Sequence, residues 1–111
     1  MRIIVTGGRD YSNYTMISHI LEMLSVSCVV HGDCTGVDTL CKEYAIENGL
    51  THVPYKPDWK THGKAGGPIR NRKMLSENQG CLVVAFPGGR GTEDCIRQAR
   101  SLGMVVMRVE E

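Results

Sequence analysis

Short apolar runs rich in β-branched residues alternate with helix-period segments along the whole chain, and that alternation leaves little choice of fold. Arg2–Thr6, Cys28–His31, Thr51–Tyr55, Cys81–Phe86 and Met104–Val109 read as strands. After the first, Met16, Ile17, Ile20, Leu21 and Leu24 recur at helical spacing behind Ser12 or Asn13 as N-cap. Val37, Leu40, Cys41, Tyr44 and Ala45 make a second apolar stripe that ends at Asn48-Gly49, a C-cap pair. Residues 57–68 read as a long loop, and Pro68 as the start of a third helix running to Asn78. A fourth helix turns Cys95, Ile96, Ala99 and Leu102 inward. Strands separated by helices pair in parallel, so the expectation is a single α/β domain over residues 1–111, with a Rossmann-like open parallel sheet of five strands and four helices. The strands are nearly continuous apolar runs, as in sheets covered on both faces.

A chain of 111 residues is long enough for a core that needs no disulfide or metal staple. Its 41% apolar and 23% charged content is that of a globular protein, and a formal net charge of +1 gives no global pull toward nucleic acid or an anionic membrane. The apolar run after Met1 is too short for a signal peptide or a membrane span, so the expected location is cytoplasmic. In that reducing setting Cys28, Cys34, Cys41, Cys81 and Cys95 are free thiols. No CxxC pair occurs among them, so no metal site and no cofactor are expected.

Three glycine-bearing loops follow strands one, two and four: Thr6-Gly7-Gly8-Arg9-Asp10, His31-Gly32-Asp33-Cys34-Thr35-Gly36 and Pro87-Gly88-Gly89-Arg90-Gly91-Thr92. In open parallel sheets, ligands bind outside the carboxyl ends of the strands near the switch in strand order, which gathers these loops on one edge. The third loop feeds directly into a helix. Its free N–H groups and positive dipole end suit an anion, and its glycines let a phosphate approach without meeting a Cβ. Gly88, Gly89, Gly91 and Thr92, flanked by Pro87 and Arg90, are therefore the expected phosphate cradle. Gly7, Gly8 and Arg9 are expected to reach the ligand from strand one, and Gly32, Asp33 and Gly36 from strand two. Asp10 and Asp33 suit ribose hydroxyls, or equally serve as N-caps of the following helices. The basic segment 57–73 supplies Lys64, Arg70 and Arg72, with arginine suited to bidentate phosphate contacts. Its length and glycines suit a lid. Trp59 either stacks on a base or covers the core, and Asp38 is explained by the dipole of its helix alone.

The blocks Gly7-Gly8-Arg9-Asp10-Tyr11, His31-Gly32-Asp33 with Gly36-Val37-Asp38, Asp58-Trp59 with His62-Gly63-Lys64-Ala65, Gly67-Pro68 with Arg70-Asn71-Arg72, and Pro87–Thr92 resemble the SLOG superfamily, close to its small YspA-like branch. The resemblance spans nearly the whole chain. It implies a Rossmannoid domain that binds nucleotides or nucleotide-derived ligands, either as an enzyme or as a sensor in prokaryotic and phage conflict systems. Related phosphoribohydrolases of the Lonely Guy type cleave the N-glycosidic bond of nucleoside monophosphates and carry Pro-Gly-Gly-x-Gly-Thr-x-x-Glu behind an Arg-Lys pair. Pro87, Gly88, Gly89, Gly91 and Thr92 match that motif and Arg72-Lys73 resembles the pair, but Cys95 stands where the glutamate belongs. Asp94, one residue earlier, lies about 100° round the helix and is not expected to point the same way.

These readings favour a small phosphorylated nucleotide derivative, of the ADP-ribose or cyclic-nucleotide class, as the partner, held by a sensor or sequestering protein. The alternative is a phosphoribohydrolase in which Arg72 and Asp94 are the catalytic pair. Exposed sheet edges and dimeric enzyme relatives point to a homodimer or larger homo-oligomer. Near-neutral charge and few aromatics argue against nucleic acid, and nothing calls for a membrane.

Overall fold

The computed structural model describes all 111 residues. Its strands are β1 (Arg2–Thr6), β2 (Cys28–His31), β3 (Thr51–Pro54), β4 (Leu82–Ala85) and β5 (Val106–Arg108). Its helices are α1 (Tyr14–Met23), α2 (Val37–Glu47), α3 (Trp59–His62), α4 (Gly66–Ser76) and α5 (Arg90–Ser101). The strands form one sheet in the order β3-β2-β1-β4-β5, and every neighbouring pair is parallel. This is the expected Rossmann-like open sheet with four principal helices.

Alternation along the strands divides the core between the two sheet faces. Ile3, Val5 and Val29 pack with Ile17 and Leu21 of α1 and Val37, Cys41 and Ala45 of α2. Ile4, Val30 and Val83 pack on the other face with Met74 and Leu75 of α4 and Cys95 and Ala99 of α5. Since α1 follows β1 and α5 follows β4, the chain leaves these adjacent strands toward opposite faces. A crevice opens between their carboxyl ends, the switch point of the strand order.

Local signals account for the element ends. Asn13 caps α1, its side chain accepting from the Met16 N–H at 3.1 Å. Gly49, at φ +67°, ends α2 in the left-handed conformation. The segment read as a long loop differs: Asp58 accepts from the Thr61 N–H at 3.1 Å and caps α3, and a 3-10 turn over Gly63–Ala65 leads straight into α4. Helix α4 thus begins at Gly66, two residues before Pro68, and stops at Ser76. A run this short has no periodicity to read, only its cap.

The three glycine loops converge as expected. The Gly8 N–H donates to the Pro87 carbonyl at 2.9 Å, and the Val37 N–H donates to the Gly8 carbonyl at 3.2 Å. Gly36, at φ +74°, begins α2 so close to this junction that a Cβ there would lie 2.6 Å from the Arg9 carbonyl oxygen. Gly49 has a similar φ of +67°, but a Cβ there would meet nothing within 4 Å. Gly49→Ala is therefore expected to cost only left-handed strain, about 1 kcal/mol. Gly36→Ala adds a backbone clash and should cost at least about 2 kcal/mol. Urea unfolding of the two variants beside wild type checks the difference.

Candidate functional site

A cavity of about 920 Å³ fills the switch-point crevice. Its floor is the loop after β1 (Thr6–Tyr11) and the loop from β4 into α5 (Pro87–Thr92), while Trp59 of α3 and Lys64, Gly67, Arg70 and Asn71 close one side. Five cationic side chains line it (Arg9, Lys64, Arg70, Arg90 and Arg97) against three carboxylates (Asp10, Asp38 and Asp94). A smaller pocket of about 230 Å³ adjoins it, sharing Arg9, Cys34 and Trp59 and adding Asp33, Thr35, Lys56 and Pro57.

The phosphate-loop expectation has a clear geometric basis. Helix α5 begins its hydrogen bonding with the Glu93 N–H to the Gly89 carbonyl at 3.0 Å, so the amides of Arg90, Gly91 and Thr92 precede the first helical bond. Gly88 is required by contact, since a Cβ there would lie 2.6 Å from the Gly8 nitrogen. At Gly89 and Gly91 a Cβ would meet nothing within 4 Å, so protein packing does not call for these glycines.

Arg70 is held rather than free. Its guanidinium donates to the Gly32 carbonyl and to the Tyr55 carbonyl at 3.4 Å, while its Nε donates to Asn71 Oδ1 at 2.8 Å. A Cβ at Gly32 would lie 2.7 Å from Arg70 Cζ, so Gly32 makes room for this arginine instead of lining the cavity. Gly36 likewise serves the loop junction. Asp33 lines only the smaller pocket, at φ +55°, its N–H donating to His31 Nδ1 at 3.1 Å. His31 Nε2 therefore carries the proton and donates to His52 Nδ1 at 3.1 Å. Neither Asp10 nor Asp33 caps a helix, those positions falling to Asn13 and Gly36. Arg72 and Lys73 lie exposed on α4, outside the cavity lining.

The inward residue of that turn is Asn71, whose Nδ2 donates to Asp94 Oδ2 at 3.0 Å. Gln98 Nε2 donates to the same oxygen at 2.9 Å, and Arg97 pairs with Asp94 Oδ1 at 3.0 Å. Asp94 thus faces the cavity, with only 16% of its side chain exposed, and points a different way from Cys95, one residue on. Cys95 is fully buried in the core, where burial pushes its thiol up to about 11 despite a hydrogen bond with Thr6. Glu93 turns outward into a bidentate pair with Arg108 at 2.8 and 3.2 Å.

Two lining residues went unassigned in the sequence although a signal existed. Asn71 stands three and four residues before Met74 and Leu75, and Asp38 three before Cys41, so each is a polar group on an apolar helix face. Asp38 is 8% exposed and accepts from the Cys34 N–H at 3.3 Å. Burial pushes its carboxyl up to about 6, with Arg70 and the amides of Cys34 and Gly32 opposing. Trp59 is 44% exposed, and the Arg9 guanidinium lies 5.4 Å over its ring, an exposed cation–π pair worth about 0.5–1 kcal/mol.

Fold and crevice together define a Rossmann-like α/β domain, with a cation-lined cavity at the switch point of a five-stranded parallel sheet. The chain belongs to the YspA, cpYpsA-related SLOG family, whose sequence model matches residues 1–62. That family lies within a superfamily of nucleotide-related ligand-binding and phosphoribohydrolase-like proteins. The matched part holds β1 to α3 and ends before Arg70 and the Pro87–Thr92 loop. Over a 118-residue alignment the chain is also 32% identical to Gene 61 protein of Mycobacterium phage D29, covering 96% of this chain and 94% of that protein. No helix is long and apolar enough to cross a membrane.

Two buried groups of opposite sense shape the acid response. Burial, with repulsion from His52, lowers His31 to about 4, so the unfolded chain takes that proton first and stability falls as pH drops from 6.5 to 4. Asp38 is raised, so its contribution is present below pH 3.8 and lost as pH rises through about 6. Asp38→Asn removes the second effect alone. Its stability relative to wild type is expected to improve by up to about 3 kcal/mol between pH 4 and 6. Denaturant titrations across that range check the sign, and a falling difference would mean that the carboxylate is stabilised when charged.

Proposed function

We propose that this protein binds a phosphorylated nucleotide or nucleotide-derived ligand at the switch-point crevice and acts as a sensor or sequestering protein. The observation that carries this reading is the α5 N-terminus, which opens onto a cavity rich in cations through two glycines that packing does not require. A phosphate there accepts from the amides of Arg90, Gly91 and Thr92, with Arg9, Lys64 and Arg90 adding charge. Arg70 sets the shape of the wall through Gly32 and Asn71. Asp10 and Asp38 are the acceptors available for ribose hydroxyls. Arg72 has no part in this assignment.

A second reading is supported by one observation, the inward-facing Asp94. Cleavage of an N-glycosidic bond develops oxocarbenium character, which a carboxylate beside the anomeric carbon stabilises. In that case the protein is a nucleoside-monophosphate phosphoribohydrolase, and Asp94→Asn abolishes release of free base from AMP.

Native mass spectrometry of gently purified protein, followed by denaturation and identification of released molecules, separates the two. A stoichiometric intact nucleotide derivative is the expected result; free base and ribose 5-phosphate formed from added AMP would favour the hydrolase. The same spectrum reads the oligomeric state, for which a homodimer is our expectation. Gly91→Ala puts a methyl group in the cradle while leaving the helix intact. It should keep or raise thermal stability while weakening AMP binding at least about tenfold. Unchanged affinity by calorimetry would remove the α5 N-terminus from the site.

A further inference from the structure

Few hydrophobic side chains line the cavity, yet one wall is the indole of Trp59, the sole tryptophan of the chain. This ring belongs to neither core cluster and is 44% exposed. Its position is nonetheless fixed. Asp58 caps the short helix that carries it, and Gly66 and Gly67 lie against its six-membered ring. A Cβ at Gly66 would come within 2.9 Å of Trp59 Cε3, and one at Gly67 within 3.2 Å of Cη2. Two adjacent glycines in the first turn of α4, where better helix formers exist, are explained by the seat they leave for the indole.

The other aromatic side chain in the cavity, Tyr11, is engaged elsewhere. Its ring packs on Phe86 with centroids 5.7 Å apart, and its hydroxyl donates to Glu111. Trp59 offers a broad, partly exposed apolar face with Arg9 over it, an exposed side chain that the loop after β1 also places beside the cradle.

We infer that Trp59 is the platform on which the ligand's flat aromatic ring stacks, and that Arg9 leaves the indole for the ligand's phosphate when the ring arrives. This rests on the phosphate-site reading above and adds to it the residue that receives the ligand's nucleobase and the move of Arg9 that uncovers it. The exchange is favourable on general grounds. A weak exposed cation–π contact gives way to a base–aromatic stack, while the released guanidinium gains a charge-assisted bond to phosphate. Every base has a π-face, so such a platform tolerates different bases and leaves their identity to other contacts.

Because Trp59 is the sole tryptophan, its fluorescence reports on this face alone. Titration of the full chain with AMP is expected to quench the emission saturably, whereas ribose 5-phosphate binds with little quenching. By calorimetry AMP should bind at least about tenfold tighter than ribose 5-phosphate. Trp59→Leu should reduce that ratio to about twofold or less, and Trp59→Phe should keep most of it. Thermal melts of both variants confirm that α3 and α4 remain folded, and Trp59→Phe keeps a ring on the same glycines. Equal affinity of wild type for the two ligands, or an equal loss of both in Trp59→Leu, overturns the platform while leaving the phosphate cradle in place. Failure of both ligands to bind overturns the phosphate site and the platform with it.

Discussion

Everything at the functional edge of this protein hangs on how closely three loop backbones approach one another. Gly8 donates to Pro87 and accepts from Val37, so a single residue joins the ends of β1 and β4 to the start of α2. At Gly36 and Gly88 a side chain would strike backbone atoms of the adjoining loop, so the junction tolerates no Cβ there. These are main-chain bonds at a sheet edge, where open N–H and C=O groups would otherwise face the crevice. Closing them leaves the amides at the start of α5 open to the crevice. The shape of this corner is thus set by the same contacts that hold the edge of the sheet together.

A second constraint acts across the cavity. Arg70 joins the loop after β2 to α4, and through Asn71 the network continues to Asp94 and Gln98 on α5. Gln98 also donates back to the Pro68 carbonyl at 3.1 Å, tying α5 to the first turn of α4. The α4 wall is therefore braced by side chains, whereas the floor is braced by backbone. Trp59 stands where α3 meets α4, between the main cavity and the smaller pocket.

The sheet, its parallel sense and the gathering of three loops were legible because each rests on a periodicity or on topology. Apolar runs bounded by glycines mark strands, and the switch-point rule then places their loops together. Residues 57–65 were not legible, because α3 has four residues and is announced only by Asp58. Side-chain direction was the harder part. Arg72 was expected at the site on charge and motif, yet the apolar pair Met74 and Leu75 turns Asn71 inward and Arg72 out. Gly32 and Gly36 carried the right signal for the wrong reason: both are demanded by close contacts, but the contacts are Arg70 and the Arg9 backbone. Those partners are distant in sequence, and no local pattern names them.

The same reasoning about helix faces weighs binding against hydrolysis. In α5 the buried positions Thr92, Cys95, Ile96 and Ala99 form one stripe, which commits Cys95 to the core whatever the motif requires. Asp94 then falls at the border of that stripe and reaches the cavity. It arrives already engaged, with one oxygen accepting from Asn71 and Gln98 and the other paired with Arg97. A carboxylate has about four acceptor sites, so three are in use before any water or anomeric carbon approaches. To serve as base or nucleophile, Asp94 has a single acceptor site left, on the oxygen paired with Arg97, whereas holding α4 against α5 requires nothing further of it. The bracing role fits the geometry as it stands, and for that reason a binding protein is the reading this crevice supports best.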